Sequence, residues 1–574
     1  MHLSLKEQYV DFPLPESEDR SRRWRYKVSR PIAIFSILAV LWTLQYYGEI
    51  PRGLQPTPVD KDFEWDLITP TKQLIYHPCF DDYECARLEV PMDWNRTEGQ
   101  GATVALAVIR LPAKVAVTDV RYGGPVILNP GGPGGSGVSL AFRKGHKIQK
   151  IVDFEESPEH PASQSPGAQY FDVISFDPRG VNNTTPSFSC FADAEARRAW
   201  QLQLDTEGTL GSSDAAFNNL WARAIAFGET CSSVSTGSGD SEWIGRFMST
   251  PPVVADMVEL VERHGEWREK ETDRLLMNSG MNSPAPRQRD ARLRNKWQKG
   301  EEKLLYWGFS YGSVLGATFA AMQPGRINRL VIDGVCDSKD YYAGNWLLNL
   351  QDSDSGLQKF FEYCHEAGPA SCPFALDTLQ ATREQYYDIL TEIAKNPVAV
   401  PGSVSRGPDI ITYSDVYTMV VQSLYSPMDM FSSMAQLLVD ISQRNGSSFA
   451  DFKANNRKST YLPGFNVEAQ PGILCTDGED IHGITKEEYR EYWHTLQNQS
   501  QAIGNLWPTV RLPCAGWNVR PEWPFTVLSQ CPTDSPMLEY YSKTLLANYF
   551  QTGALPDVGT ICEVDERPFG LPGM

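Results

Sequence analysis

The stretch KLLYWGFSYGSVLG, residues 303–316, decides the fold of this chain. Its apolar first half can form a buried strand, residues 308–312 (GFSYG) fit the pattern G-x-S-x-G, and residues 314–322 read as a helix of small side chains. A strand, a tight turn and a helix in this order are typical of a nucleophile elbow, where the serine hydroxyl is exposed at the sheet edge. An ordinary glycine turn is the alternative, but the flanking elements favour the elbow. We therefore expect Ser310 to be a nucleophile.

A glycine-rich loop, NPGGPGGSG at residues 129–137, follows another short apolar run at residues 124–128. Such a loop can bind phosphate, but this one lacks the Lys-[Ser/Thr] ending of a P-loop. In serine hydrolases the loop after the corresponding strand donates one N–H to the oxyanion hole, and glycine lets that N–H point inward. Because Ser310 is present, we favour the oxyanion loop.

The remaining apolar runs predict an α/β protein with a mostly parallel sheet. Further strands are expected at residues 86–90, 103–111, 171–176 and 327–335, and a helix at 252–264. Residues 265–300 are polar and lack apolar periodicity, so they read as a surface insertion or a disordered loop. Residues 340–470 read as helices that form a cap over the site, where hydrolases select substrates.

Asp177 and Arg179 follow the strand at residues 171–176 and are candidates for catalytic groups. A structural ion pair or turn contact at the strand end is the better interpretation, because the acid of a triad follows the nucleophile in the chain of such hydrolases.

The composition excludes some classes of protein. With 574 residues and 41% hydrophobic content, the chain can bury a large core in two or more domains. A formal charge of −19 argues against a nucleic-acid partner, since no excess of basic residues is present to neutralise phosphates.

The N-terminal region predicts a membrane anchor. Residues 1–30 form a polar, basic tail, and residues 31–47 are a nearly unbroken apolar run that would span roughly 26 Å as a helix, the short end of what crosses a bilayer. The basic flank predicts a cytosolic tail and a lumenal or extracellular remainder. A cleaved signal peptide, and hence a secreted protein, is the alternative. Residues 48–73 would form a stem.

The 11 cysteines suggest an oxidising compartment. Their spacing suggests the pairs Cys79 with Cys85, Cys190 with Cys231, and Cys364 with Cys372, with Cys336 left as a free thiol. Five N-x-[Ser/Thr] sequons point the same way. The candidate glycosylation sites are Asn95, Asn182, Asn183, Asn445 and Asn498.

Several ordered motifs together resemble a known family. They are NPGGPGGSG (129–137), FDVISFDPRG (171–180), YWGFSYGSVLG (306–316), CTDG (475–478), CAGW (514–517) and YFQTGALPDVGTIC (549–562). This combination resembles the tripeptidyl aminopeptidase and prolyl aminopeptidase-like α/β-hydrolases, particularly fungal members. The resemblance covers residues 74–574 apart from the 265–300 insertion. It implies a hydrolase core at 74–339, a helical cap at 340–470 and the family's C-terminal region at 471–574.

The resemblance also implies an activity and site residues. Members of this family are serine peptidases that remove short peptides or single residues from a free N-terminus. Ser310 would be the nucleophile, and the N–H groups of Tyr311 and of Gly131 or Gly132 would form the oxyanion hole. Acidic cap residues would hold the substrate ammonium group. Neither a metal nor a cofactor is expected, and the sequence does not indicate the oligomeric state.

The acid and base of the family pattern are missing from this chain. The family has the acid in a D-P-x-T-P segment and the histidine in a G-H pair before the final helix, whereas here Phe525 leads directly into Thr526 and an expected final helix at 536–550. One strand, the acid and the base are therefore missing as a block, through a gene-model or splicing error or a real loss. Asp477, His482 and His494 are weak substitutes.

These observations predict a membrane-anchored aminopeptidase that forms an acyl-enzyme at Ser310. Two alternatives remain open: a catalytically inactive hydrolase fold that serves as a binding module, and a lipase or esterase on the same fold.

Overall fold

A computed structural model of the protein describes residues 63–96, 100–165, 167–237, 242–278, 285–460, 467–525, 537–539, 543–557, 560 and 566–573. The chain divides into two units, residues 1–61 and 62–574, and every described residue lies in the second. The predicted tail, the predicted anchor at 31–47 and most of the predicted stem lie outside the described residues. Within the described part, no helix is both long and apolar enough to cross a bilayer.

One eight-stranded sheet forms the centre of the fold, in the order β1-β2-β3-β5-β4-β6-β7-β10. Its strands are β1 (His77–Cys79), β2 (Tyr83–Pro91), β3 (Thr103–Leu111), β4 (Tyr122–Asn129), β5 (Tyr170–Phe176), β6 (Leu304–Phe309), β7 (Ile327–Asp333) and β10 (Met537–Glu539). The pairs from β1 to β5 are antiparallel, and those from β5 to β10 are parallel. Each strand expected from the sequence corresponds to one of these, although β7 ends at Asp333, two residues before the expected end, and the α/β-hydrolase fold is confirmed.

Helices cover both faces of the sheet, which is why its parallel strands are continuous apolar runs. The helices of the core are α1 (Gly137–Val152), α2 (Ala194–Glu207), α3 (Asp214–Gly237), α4 (Thr250–Asn278), α5 (Ala285–Asn295), α6 (Tyr311–Met322) and, at the C-terminal end, α15 (Lys543–Thr552). Helices α4 and α6 pack on one face, and α1 and α15 pack on the other.

The segment predicted to form a cap, hereafter the cap, has its own cluster of buried residues from Leu350 onward. Its helices are α7 (Ser338–Tyr342), whose buried tyrosines belong to the main core, α8 (Ser353–Ser371), α9 (Leu379–Lys395), α10 (Tyr413–Tyr425), α11 (Pro427–Ser442) and α12 (Ser447–Thr460). A short antiparallel hairpin, β8 (Val398–Val400) and β9 (Asp409–Ile411), interrupts the helices and was not expected. After the cap come α13 (Ala469–Asp477) and α14 (Lys486–Gln499), and a small hairpin, β11 (Glu566–Arg567) and β12 (Leu571–Pro572), follows α15.

The expectation of a disordered loop at 265–300 is wrong for the described residues of that segment. Helix α4 continues to Asn278, and α5 follows it. Apolar periodicity missed this pair because polar contacts hold it in place. Arg268 pairs with Glu302, and the Asn295 amide donates to the Thr272 hydroxyl at 2.8 Å.

The two ends of the globular fold also differ from expectation. Residues 63–73 were expected to be stem, yet Ile68 is buried and Thr71 forms a bridge with Leu88. At the other end, the helix expected at 536–550 is divided, because Met537–Glu539 is a strand parallel to β7 and α15 begins only at Lys543.

Four disulfides place the described domain in an oxidising compartment, outside the cytosol. The three predicted pairs, Cys79–Cys85, Cys190–Cys231 and Cys364–Cys372, are confirmed. A fourth bond joins Cys475 to Cys514 and was not predicted. Cys336 is a free thiol, as expected.

Candidate active site

Ser310 occupies the sharp turn between β6 and α6. Its φ of 56° and ψ of −122° lie in a region that side chains other than glycine rarely adopt, and its side chain is exposed. The Ser310 N–H donates to the Asp333 carbonyl at 2.8 Å, and the Ser313 hydroxyl donates to the Ser310 carbonyl at 2.6 Å. These bonds hold the strained turn, so the predicted nucleophile elbow is present in the structure.

Glycine is required on one side of the elbow by close backbone approach. A Cβ at Gly308 would lie 2.3 Å from the Gly312 carbonyl oxygen, and one at Gly312 would lie 2.9 Å from the Asn129 carbonyl oxygen. The G-x-S-x-G pattern therefore reflects tight packing between β6, the start of α6 and the end of β4.

The glycine-rich loop packs directly against the elbow. Gly131 has a φ of 82°, and a Cβ there would lie 2.1 Å from the Phe309 carbonyl oxygen and 2.9 Å from the Tyr311 nitrogen. The Gly131 N–H donates to the Asn129 side chain at 2.9 Å. Gly132, by contrast, has no acceptor for its N–H within the described residues. Of the two glycines, Gly132 is therefore the one whose N–H is available to an oxyanion.

Asp177 stabilises the end of this loop by hydrogen bonds. Its carboxylate accepts hydrogen bonds from the Ser136 hydroxyl at 2.6 Å and from the Val138 N–H at 3.1 Å. Burial raises the pKa of Asp177, and these hydrogen bonds oppose the rise. Arg179 forms a fully buried pair with Asp256. Both residues are structural, although they pair with other groups and not with each other.

The neighbour of Ser310 that the sequence did not indicate is Cys336. The Cys336 thiol lies near Ser310: burial raises the pKa of the thiol, and the Ser310 hydroxyl opposes that rise. The Cys336 N–H donates to the Ser313 hydroxyl at 2.9 Å. The signal available in the sequence was the position of Cys336 three residues after β7, the strand beside the elbow strand.

Asp477 ends α13 and makes no hydrogen bond with Ser310 in the described part of the chain. Its carboxylate accepts hydrogen bonds from the Thr250 N–H at 2.7 Å, the Thr250 hydroxyl at 2.7 Å and the Tyr341 hydroxyl at 2.8 Å. The Thr250 hydroxyl also lies 2.5 Å from the Tyr311 hydroxyl. Burial raises the pKa of Asp477 to about 6. Asp477 therefore joins the start of α4 to the side chain of Tyr311.

His482 and His494 are exposed on the surface of the described domain. The His482 N–H donates to Asp480, and the His494 Nδ1 lies 3.1 Å from the Gln497 side-chain oxygen. Among the described residues, neither imidazole makes a hydrogen bond with Ser310 or Asp477. The structure thus does not bring these three candidates together at the nucleophile.

A buried histidine and carboxylate occur elsewhere in the core. The His264 Nε2 lies 3.0 Å from the Tyr122 hydroxyl and 3.5 Å from Asp172, which accepts from Arg110 at 2.9 Å. Burial lowers the pKa of His264 to about 3, so its ring is neutral and its approach to Asp172 is not an ion pair. Tyr122 begins β4, whereas Ser310 follows the end of the parallel strand β6, so this cluster lies at the opposite edge of the sheet. Nothing in the sequence pattern signalled it.

The sequons differ in accessibility. Asn95, Asn445 and Asn498 are exposed, whereas the Asn182 and Asn183 amides donate to Ser136 and Asp177. Glycosylation remains a prediction. Across the described residues, no group of three or more His, Cys, Asp or Glu side chains is placed to bind a metal ion.

Comparison with known proteins finds similar serine peptidases, whereas no protein-family model matches the chain. The serine protease Hip1 of Mycobacterium tuberculosis is 27% identical over 414 residues, and the alignment covers 70% of this chain but 65% of Hip1. The tripeptidyl aminopeptidase of Streptomyces lividans is 24% identical over 461 residues, covering 77% of this chain and 69% of that protein. Carboxylesterase B of M. tuberculosis is 36% identical over 111 residues, which are 19% of this chain and 17% of that protein.

A solved structure described as an α/β hydrolase, from Nostoc sp PCC 7120, has 10% sequence identity and a TM-score of 0.19, over 65% of this chain and 76% of that one. The fold assignment rests instead on the strand order and the elbow. The expected similarity to tripeptidyl aminopeptidases is confirmed.

Proposed function

We propose that the protein is a serine hydrolase of the aminopeptidase type, which releases short peptides or single residues from free N-termini. The observation that carries this proposal is the strained, exposed Ser310 beside the glycine loop that supplies the Gly132 N–H. Similarity to a serine protease and to tripeptidyl aminopeptidases supports the choice of a peptide substrate.

In the proposed reaction the Ser310 hydroxyl oxygen attacks the scissile carbonyl carbon. The carbonyl oxygen becomes an oxyanion, which accepts hydrogen bonds from the Tyr311 and Gly132 N–H groups. The C–N bond then breaks, the serine proton passes through a base to the leaving amine, and water hydrolyses the ester at Ser310. In this proposal Ser310 is the nucleophile, Tyr311 and Gly132 are the oxyanion donors, and the base is the part of the reaction to be identified.

Cleavage of peptide reporters tests this function. The purified protein and its Ser310→Ala variant would each be incubated with a tripeptide reporter whose N-terminus is free or acetylated. We expect release only by the unaltered protein and only from the free N-terminus. Cleavage that is indifferent to acetylation, or equal in the variant, would contradict the proposal.

An inactive binding module is the second candidate, favoured by the chain's lack of any histidine after His494. The cheapest discrimination is to read the genomic or transcript sequence between Phe525 and Thr526. In-frame coding sequence for a D-P-x-T-P segment and a G-H pair would favour the peptidase. An uninterrupted junction together with inert reporters would favour the binding module.

An esterase is the third candidate, favoured by the short stretch of similarity to carboxylesterase B. Faster hydrolysis of acyl esters than of peptides, regardless of N-terminal blocking, would identify it.

We further infer a membrane-anchored arrangement, with residues 31–47 as a single span and the disulfide-bonded domain on the lumenal or extracellular side. Digestion of intact membrane vesicles from expressing cells tests it. Protease added outside sealed microsomes should remove the N-terminal tail and spare the domain; a domain released into the medium would instead favour a secreted protein.

A further inference from the structure

A cavity of about 550 Å³ lies between the core helices α2 and α3 and the cap helices α10 and α12. Its lining is mostly apolar, with large side chains from both sides. Trp200 and Phe227 come from the core, and Met419 and Phe452 come from the cap. A concave, aromatic cavity between two layers is the usual form of a site for an apolar group.

The cavity adjoins the oxyanion loop. Gln470 lines it, and the Gln470 amide donates to the Gly132 carbonyl at 3.3 Å. On the other side of the same loop, a Cβ at Gly131 would lie 2.9 Å from the Ser310 Cβ. Since an extended peptide advances about 3.3–3.6 Å per residue, a chain bound at Ser310 reaches the cavity wall within a few residues.

One polar group of the lining is held in a fixed position. The Arg223 guanidinium stacks on the Trp200 ring at 3.8 Å, and its terminal nitrogens donate to the Trp200 carbonyl and the Gln203 side chain. Arg223 therefore holds the Trp200 ring in place as a wall of the cavity.

The charges of the lining are largely compensated. Asp415 pairs with Lys453 at 3.0 Å, and Glu468 pairs with Arg197. The apolar surface of the cavity therefore decides which side chain it binds.

We propose that this cavity binds a large apolar or aromatic side chain of the peptide substrate, within three residues N-terminal to the scissile bond. This proposal rests on the proposed function, because it assigns a subsite to the same reaction. It identifies the preferred substrates as peptides with such a side chain near a free N-terminus.

Calorimetric titration of the Ser310→Ala protein tests the subsite without requiring catalysis. The ligands would be a tripeptide amide with an N-terminal Phe-Phe pair and its Gly-Gly counterpart. We expect tighter binding of the phenylalanine peptide, and a loss of at least tenfold in that affinity when Ala224→Phe fills the cavity. Ala224 is buried and lines the cavity, whereas Ala226 on the same helix is exposed, so Ala226→Phe is the matched control.

Trp200→Ala provides a second variant, because it removes one wall instead of filling the space, and it should also weaken binding of the phenylalanine peptide selectively. Equal affinity for the two peptides, or unchanged affinity in folded Ala224→Phe and Trp200→Ala proteins, would overturn the subsite. Selective binding together with no cleavage by the unaltered protein would overturn the proposed function and leave the subsite standing.

Discussion

The two edges of the parallel sheet have opposite characters. At the carboxyl edge, Ser310 stands on strained backbone with its side chain exposed. At the amino edge, His264, Tyr122 and Asp172 are buried, and the Tyr122 hydroxyl joins the other two side chains. Strand β4 alone separates its two ends by about 23 Å. The residues that a triad needs are thus all present in the core, but they are divided between two edges.

This difference shows that a side chain of a type used in catalysis is not catalytic unless its surroundings allow it to act. Burial raises the pKa of Asp172, but the Arg110 guanidinium and the hydrogen bonds from Arg110 and Tyr122 lower it further, and the net result is a pKa below the ordinary value. Asp172 therefore stays charged, His264 stays neutral, and neither is exposed to a substrate. Ser310 is exposed to solvent, and its strain is maintained by hydrogen bonds to β7 and α6.

The largest effect is expected at the amino edge. Asp172→Ala would leave Arg110 with one of its carboxylate partners removed inside the core, and breaking a buried pair costs about 3–5 kcal/mol. We expect a loss of that size in the free energy of unfolding, measured by urea denaturation, with unchanged chemistry at Ser310 in the protein that remains folded. Glu271→Ala, which removes a surface pair with Arg274, is the control and should cost at most about 1 kcal/mol. Equal losses in the two variants would show that the amino-edge cluster is not structural.

Gly131→Ala should lower the reactivity of Ser310 at the carboxyl edge. The new Cβ would meet the Phe309 carbonyl, so the loop must move and take the Gly132 N–H away from the oxyanion position. Loss of one such donor lowers rates by about 100- to 1,000-fold. The measurement is the rate at which a fluorophosphonate reacts with Ser310. Gly325→Ala is the control, since its Cβ would meet nothing within 4 Å. A rate for Gly131→Ala close to that of the control would refute the role of the loop.

The buried carboxyl group of Asp477 should make the stability of the fold depend on pH. Its pKa is raised by burial from 3.8 to about 6, so between those values the folded protein keeps a proton that the unfolded chain has lost. Stability therefore falls as pH rises through this window, by up to about 3 kcal/mol from this group. Asp477→Asn should be more stable relative to the unaltered protein at pH 7 than at pH 4 in thermal melts.

Asp480→Asn, on the exposed side of the same segment, is the control for that measurement and should show no such trend. Asp153, whose pKa is also raised by burial to about 6, contributes in the same direction, and His264, whose pKa is lowered to about 3, contributes in the opposite direction. Because these two contributions are present in every variant, they cancel when each variant is compared with the unaltered protein. A stability difference for Asp477→Asn that is independent of pH would contradict the assignment.

The smallest effect concerns the strain at the elbow itself. Strained backbone of this kind costs about 1–3 kcal/mol, and glycine removes the strain at a cost of about 0.5–1 kcal/mol in unfolded-chain entropy. We expect Ser310→Gly to be about 1 kcal/mol more stable than Ser310→Ala in chemical denaturation. Ser310→Ala keeps the Cβ and hence the strain. If alanine were the more stable of the two, the turn would not be strained.

Much of this architecture was predictable because local patterns carry it. The apolar runs at β4, β5 and β6, the G-x-S-x-G turn and the Cys79–Cys85 and Cys364–Cys372 disulfides depend on residues close together in the chain, whereas the predicted Cys190–Cys231 bond joins residues 41 apart. The Cys475–Cys514 bond, which links residues 39 apart, was not predicted, because no repeated spacing in the sequence marks it. The helix at 252–264 was predicted, but the continuation of α4 to Asn278 and helix α5 were missed, because polar and ionic contacts hold them instead of an apolar stripe.

The site was less predictable than the fold. Whether Gly131 or Gly132 faces the oxyanion depends on which N–H the Asn129 side chain accepts, and only the folded loop decides that. Likewise Cys336 reaches Ser310 only because β7 lies beside β6. Asp477 was a candidate acid by chain order, but it ends α13 beside the start of α4, where Thr250 and Tyr341 are its partners.

The most direct test of the central claim is covalent labelling of Ser310. The unaltered protein and Ser310→Ala would each be treated with a fluorophosphonate, and the modified peptide located by mass spectrometry. If the elbow and its oxyanion loop form a working nucleophilic site, the label will appear on Ser310 and be absent from the variant. A folded, unaltered protein that takes up no label at Ser310 would contradict this account of the molecule as a serine hydrolase.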